Sequence, residues 1–191
     1  MVTEVKPRRR SEKSRAAIFA ATRELAVERG YDRFTIEAVA ARAGVGKQTI
    51  YRWWPSRPAL ISEVLLEDFA KFSFSVPDTG DLGADLVRWA RRLARGLTTG
   101  EFSASLRILT ASAMEDTETA GRLRTAFSKP LRTAVIARVR ADGRLDDAHA
   151  QAVADAVVGG VVYPVLEEGR SYRPVRAEHL VRTVVAGVAG S

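Results

Sequence analysis

Apolar residues recur every three to four positions along almost the whole chain, and no stretch alternates with period two over strand length. That spacing puts the apolar set on one side of successive helices, so the pattern predicts an all-α protein. From Ser14, the residues Ile18, Phe19, Ala21, Leu25 and Ala26 share one helix face, and Gly30 is placed to end it. Tyr31 and Phe34 follow, folding back on the same core. Thr35 then offers a hydroxyl cap to a second helix, IEAVAARA, with Glu37 in its first turn and Ile36, Val39, Ala40 and Ala43 on its apolar side. Gly44 stops it. Only Gly44, Val45 and Gly46 stand before the next helical stretch, so the pair turns through a short corner that glycine permits. The arrangement reads as a helix-turn-helix or, equally, as an ordinary hairpin of a helical bundle.

The third helix carries the segment GKQTIYRWWPSR, residues 46–57. On a helical wheel Ile50, Trp53 and Trp54 gather on one arc, whereas Lys47, Gln48, Thr49, Tyr51 and Arg52 occupy the other. The apolar arc is a wedge for the first two helices, with Ile50 and Trp54 as core. Trp53 sits at its rim, either fully buried or with its indole N–H emerging to donate a hydrogen bond. Pro55 ends the segment, Ser56 caps a fourth helix, and Arg57 and Pro58 open that helix. A cation at the positive end of a helix is unfavourable unless an anion is also there.

After Phe74 the stretch SVPDTGDLG is a loop by composition. Beyond it helices are expected at about 82–97, 101–115, 120–141, 146–169 and 175–189. Residues 1–13 (with Pro7, Arg8, Arg9 and Arg10) read as a flexible basic arm, 14–74 as one helical domain with its connecting helix, and 75–191 as a second. Ala152, Ala156 and Gly160 form a smooth four-residue stripe beside Val157, Val158, Val161 and Val162, which suits close helix approach within a chain or between two copies. Trp89, Phe102, Met114, Phe127 and Tyr163, with Arg107 as a polar member, are candidates to line a ligand cavity; the same spacing is that of ordinary core.

Charge sharpens this picture. The formal net charge is +7, and residues 1–60, with 13 Lys/Arg against 6 Asp/Glu, carry all of it, while the remaining residues balance 17 against 17. Such asymmetry points to a polyanionic partner for the first third alone. Without cysteine, disulfides, thiolate nucleophiles and zinc–thiolate sites are excluded. No uninterrupted apolar run of bilayer length is present and the basic start lacks a secretory core, which leads to a cytoplasmic expectation with no membrane partner. His149 and His179 are far apart; Asp146, three residues before His149, reads as a helix cap, and no phosphate-binding glycine loop or nucleophile elbow occurs. No enzyme activity, metal or cofactor is expected.

The polar arc of the third helix suits DNA. Gln pairs with adenine and Lys or Arg with guanine in the major groove, and Tyr and Thr hydroxyls reach phosphate. The run T-I-x-x-V-A-x-x-A-G-V-x-x-x-T-I-Y-R-W-W-P-S-R at 35–57 resembles the N-terminal domain of the tetracycline-repressor (TetR) family of bacterial transcription regulators, over about residues 14–65. The resemblance implies a homodimer on double-stranded operator DNA, one recognition helix per subunit in the major groove, and a divergent C-terminal domain that takes a small-molecule effector and dimerises. It also implies phosphate contacts at Thr35, Tyr51, Trp53 and Arg57 and base contacts at Lys47, Gln48 and Thr49, with Arg52 adjacent. Many members have histidine in place of Trp53 and lysine in place of Arg57. Glu37 falls where some relatives place a basic residue, so no base contact is assigned to it. The competing expectation is a helical module whose basic N-terminus binds RNA or anionic membrane without sequence specificity.

Overall fold

A computed structural model describes residues 6–30, 33–69, 74–98 and 100–189, and the regular elements among them are helical. They are α1 (Lys6–Arg29), α2 (Ile36–Ala43), α3 (Lys47–Tyr51), α4 (Arg57–Phe69), α5 (Leu82–Thr98), α6 (Gly100–Glu115), α7 (Thr117–Leu123), α8 (Lys129–Asp142), α9 (Asp147–Glu168) and α10 (Val175–Ala189). A π-helical turn, Arg124–Ser128, joins α7 to α8, and a 3-10 turn, Gly169–Ser171, follows α9.

Two expectations change. First, the basic arm is shorter than composition implies, because α1 already begins at Lys6. Pro7 is its second residue, where a missing N–H breaks no helical hydrogen bond, and a helix once nucleated extends at little cost. Residues 1–5 and the side chains of Arg8, Arg9 and Arg10 lie outside the described part. Second, the chain does not divide by one cut at Phe74. One unit comprises Met1–Phe69 and Arg107–Leu123; the other comprises Ala70–Leu106 and Arg124–Ser191. A boundary drawn on loop composition cannot register that α6, a continuous helix, supplies residues to both units.

In the first unit Ile18, Leu25, Phe34, Val39, Ile50, Trp54, Leu60 and Val64 are buried together as core. Phe34 does fold inward, at 0% exposure, while Tyr31 lies outside the described residues. The Trp54 ring packs 5.8 Å from Phe19, and its indole N–H donates to Glu63 Oε2 at 2.9 Å, so the large ring is buried with its one polar atom satisfied. Arg42 joins α2 to α1 by a bidentate pair with Glu28 at 2.9 and 3.0 Å and a bond to Glu24 at 3.0 Å.

In the second unit α5 turns Leu82, Leu86, Trp89, Leu93 and Leu97 inward, and α9 contributes Val153, Val157, Val161 and Val165. These valines make Asp147–Ser171 apolar and long enough to cross a membrane by length and composition alone. Here they serve as a core stripe. Gly160 allows α10 close, since a Cβ there would stand 2.5 Å from Leu180 Cδ2. The expected small-residue stripe therefore splits: Gly160 is used against α10, while Ala152 and Ala156 remain exposed. Asp85, fully buried on α5, receives hydrogen bonds from Arg138 Nε and Nη2 at 3.0 and 2.9 Å and from the Thr79 N–H and hydroxyl at 2.9 and 2.7 Å. Burial opposes the charged carboxylate, but the Thr79 donors and the Arg138 guanidinium outweigh it and hold the Asp85 carboxyl below the usual aspartate range.

Candidate nucleic-acid interface

The corner between α2 and α3 is built from its sequence. Thr35 caps α2, its Oγ1 accepting from the Ala38 N–H at 3.2 Å. At the other end Gly44 takes the left-handed conformation, φ 64° and ψ 34°. Its N–H donates to Ala41 O at 3.4 Å and the Val45 N–H to Ala40 O at 3.0 Å, the two bonds of a Schellman cap. No neighbouring atom would obstruct a Cβ at Gly44, so the backbone conformation, rather than space, favours glycine there. Gly46 is extended at φ −75° and ψ 148°, and its carbonyl accepts from the Thr49 N–H at 2.9 Å, which starts α3.

Regular α3 is one short helix, and helical bonding continues past it through Arg52 N–H to Gln48 O at 3.1 Å and Trp54 N–H to Ile50 O at 2.9 Å. The two-sided wheel is realised in space. Ile50 and Trp54 are 0% and 2% exposed, whereas Lys47, Gln48, Tyr51 and Arg52 stand in solvent. Thr49 is half-buried. Trp53 is half-buried as well, edge-on to Trp54 at 5.5 Å, with the Arg52 guanidinium 5.4 Å from its ring centre. The ring is thus a partly exposed platform carrying a cation.

Arg57 opens α4 half-buried, and its resolved neighbours answer the tension at that helix end. Nη1 donates to Phe34 O at 3.2 Å, and Nη2 pairs with Glu115 Oε2, the last residue of α6, at 3.2 Å. The anion expected beside this cation is provided by the protein itself. Ser56 caps the helix by accepting from the Ala59 N–H at 3.2 Å. A second pair lies on the reading face: Lys47 Nζ is 3.1 Å from Glu37 Oε1. Neither acid was legible as a partner in the sequence. Glu115 is 58 residues from Arg57, and Glu37 is 10 from Lys47, a spacing that becomes a contact only across the glycine corner. Thr35, Lys47, Gln48, Thr49, Tyr51, Arg52, Trp53 and Arg57 all belong to the first unit, and two carboxylates stand beside them, Glu37 at Lys47 and Glu115 at Arg57.

The candidates for an effector cavity differ in exposure. Arg107 is exposed, Met114 is 86% and Tyr163 67% exposed, and the first two belong to a different unit from Tyr163. Trp89 and Phe127 are packed core at 1% and 2% exposure, with the Trp89 indole N–H donating to Phe74 O at 2.8 Å. The Phe102 side chain lies outside the described part. Large residues at helical spacing were filling core or facing outward, and spacing alone cannot separate these from a cavity wall. Open clefts in the second unit are lined otherwise: one of about 820 Å³ lies between α5 and α10, with Arg88, Arg91, Arg95 and Arg182 around it, and one of about 760 Å³ runs beside α8 with Phe74, Val76, Lys129 and Ala137.

Known proteins match both parts of the chain. Residues 18–64 fit the model described as bacterial regulatory proteins, tetR family, and residues 76–184 that of the tetracyclin repressor-like C-terminal domain. An uncharacterized HTH-type transcriptional regulator of Bacillus subtilis, YdeS, is 31% identical over 185 residues, 95% of this chain and 92% of its own. The DNA-binding transcriptional repressor TetR of Mycobacteroides abscessus is 40% identical over 86 residues, 45% of each chain. Among solved structures, a tetR-family transcriptional regulator from Streptomyces coelicolor shares the fold, with a TM-score of 0.69 at 21% identity over 92% of this chain and 80% of that one. A helix-turn-helix whose donor-rich face is held outward by a buried tryptophan, followed by a matching helical domain, places this chain in the TetR family of bacterial transcriptional regulators.

Proposed function

We propose that the chain is a cytoplasmic, dimeric repressor that leaves its operator when a small molecule binds. In this reading Lys47, Gln48 and Thr49 contact base edges, with Arg52 beside them, and Thr35, Tyr51, Trp53 and Arg57 hold phosphates. The observation that carries it is the exposure of Lys47, Gln48, Tyr51 and Arg52 over a buried Ile50 and Trp54. A face so supplied with donors and so firmly backed can enter a groove without unpacking its own domain. Phosphate contacts position a protein on any duplex, and only the base-facing residues confer sequence choice.

Dimerisation in this reading uses the outward side of α9, where Ala152, Ala156 and Tyr163 are exposed, together with α10. Small residues there admit a second copy at short interaxial distance, and a two-fold pair of heads would match half-sites about one DNA turn, roughly 34 Å, apart. The effector acts by changing the separation of the two heads, which favours the unbound state in proportion to its differential affinity. α6 is the natural route: it has residues in both units, and its last residue holds Arg57. The functional reading includes no catalytic step.

Selection of fragments from the source genome by the purified protein, followed by sequencing, tests the reading directly. An inverted repeat with half-sites about 10 base pairs between centres is expected. Enrichment without any shared motif would instead support the competing reading of a nonspecific polyanion binder. Light scattering of the free protein should give twice the chain mass of 20.9 kDa.

A further inference from the structure

An acid on a face that meets DNA calls for a reason, because it repels the phosphates that its neighbours attract. Glu37 is such an acid. It projects from the first turn of α2, is 62% exposed, and its Oε1 lies 3.1 Å from Nζ of Lys47, itself 55% exposed, at the start of α3. An ion pair this open to water contributes little to folding, so stability does not account for it. Its own backbone N–H and then the Lys47 ammonium hold the Glu37 carboxyl below the usual glutamate range, and it is therefore an acceptor at neutral pH.

The chemistry of base edges supplies the reason. In the major groove guanine shows two acceptors, O6 and N7, and cytosine shows a donor, its N4 amine. Lysine donates to the first and glutamate accepts from the second. The pair presents both functions side by side: with the ammonium on Oε1 and its own backbone N–H also bonded to it, the Glu37 carboxylate keeps further lone pairs to accept with, and the ammonium has two further hydrogens to give. An isolated lysine would tolerate N7 of adenine or O4 of thymine nearly as well as guanine. At an adenine–thymine pair in the same orientation a carboxylate fixed beside the lysine faces thymine O4 where the cytosine amine should be, so discrimination comes from the mismatch as much as from the match.

We infer that Glu37 and Lys47 act as one reading element that selects a guanine–cytosine pair in each half-site, Glu37 accepting from the cytosine amine while it orients Lys47 on the guanine. The inference rests on the reading of this face as the DNA-contacting one. Glu37 thereby becomes a specificity-determining residue contributed by α2, outside the recognition helix.

Selection from a random double-stranded library with the full-length protein and its Glu37→Ala and Glu37→Gln variants tests it, with melting curves to show that the variants are folded. The wild-type motif should contain a guanine–cytosine position whose preference falls roughly tenfold or more in Glu37→Ala, while other positions keep theirs. Glu37→Gln, whose amide both donates and accepts, should move that position toward adenine. Lys47→Ala should relax the same base pair and no other. If Glu37→Ala keeps every base preference and binds all sequences more tightly, the acid only moderates charge and the inference is overturned. If the wild-type protein enriches no motif, the DNA-reading face itself is refuted, an outcome distinct from the first.

Discussion

Both units carry ion pairs at the surface, but among the described residues only the second also buries one. In the first, ion pairs lie at the surface: Lys47–Glu37, Arg57–Glu115 and Arg42–Glu28 all have partners that water reaches. In the second, Asp85 and Arg138 are paired at 0% and 4% side-chain exposure. Exposed pairs cost little to part, so their cations can exchange a carboxylate for a phosphate. A buried pair cannot be parted without leaving a bare charge in a medium of low polarity, and it fixes structure instead. Alongside its surface pairs, the second unit confines one cation, Arg138, to hold the segment around Thr79 against α5 and α8.

The largest expected effect lies with the buried pair. Asp85→Ala should cost about 3 kcal/mol in urea unfolding, because Arg138 loses its buried partner and is left with Asp78, at 3.3 Å, as a partial substitute. Its pH dependence has a definite sign. The folded Asp85 pKa is lowered, so the unfolded chain takes up the proton first. The stabilisation is complete above the ordinary aspartate value of about 3.9 and is lost as pH falls through the lower folded value. Wild type and Asp85→Asn should therefore converge in stability in that acid window; a constant gap down to the lowest pH would contradict the assignment.

Next come the exposed groups that the proposed interface uses. Gln48→Ala should remove about 1–3 kcal/mol of base discrimination while leaving the melting temperature unchanged. Arg57→Ala should weaken binding to all sequences alike and reduce the salt slope by about one. Binding titrations at several salt concentrations separate the two, and identical behaviour would remove the distinction between reading and positioning. Gly160→Ala should cost about 1–2 kcal/mol in the second unit, since Leu180 must shift to admit the methyl group. Thermal unfolding unaffected by that change would mean that α9 and α10 adjust freely. Thr35→Ala is the smallest, about 1 kcal/mol from the lost α2 cap, read from a melting curve without DNA.

How much was legible follows the range of the interactions. The bounds of α2, its Thr35 cap, the Gly44 stop and the Ser56 cap were readable because each depends on residues within three or four positions. The burial of Ile50 and Trp54 opposite Lys47 and Gln48 was readable because helical geometry repeats every few residues. The cavity residues were not. Trp89, Phe127 and Tyr163 have the same local pattern whether they fill a core, line a cleft or face outward, and the outcome depends on which helix arrives from far along the chain.

The sequence by itself therefore determined an all-α chain with a basic head, the glycine corner that aims α3, and the identity of the donors on its open face, since all of these arise from local backbone preference and periodicity. Only the tertiary structure decided that α6 has residues in both units, that Glu115 holds Arg57, that Glu37 meets Lys47, and that Asp85 is buried with Arg138. These contacts join residues from different helices, and their existence depends on how whole faces pack, a choice that no short window of sequence contains.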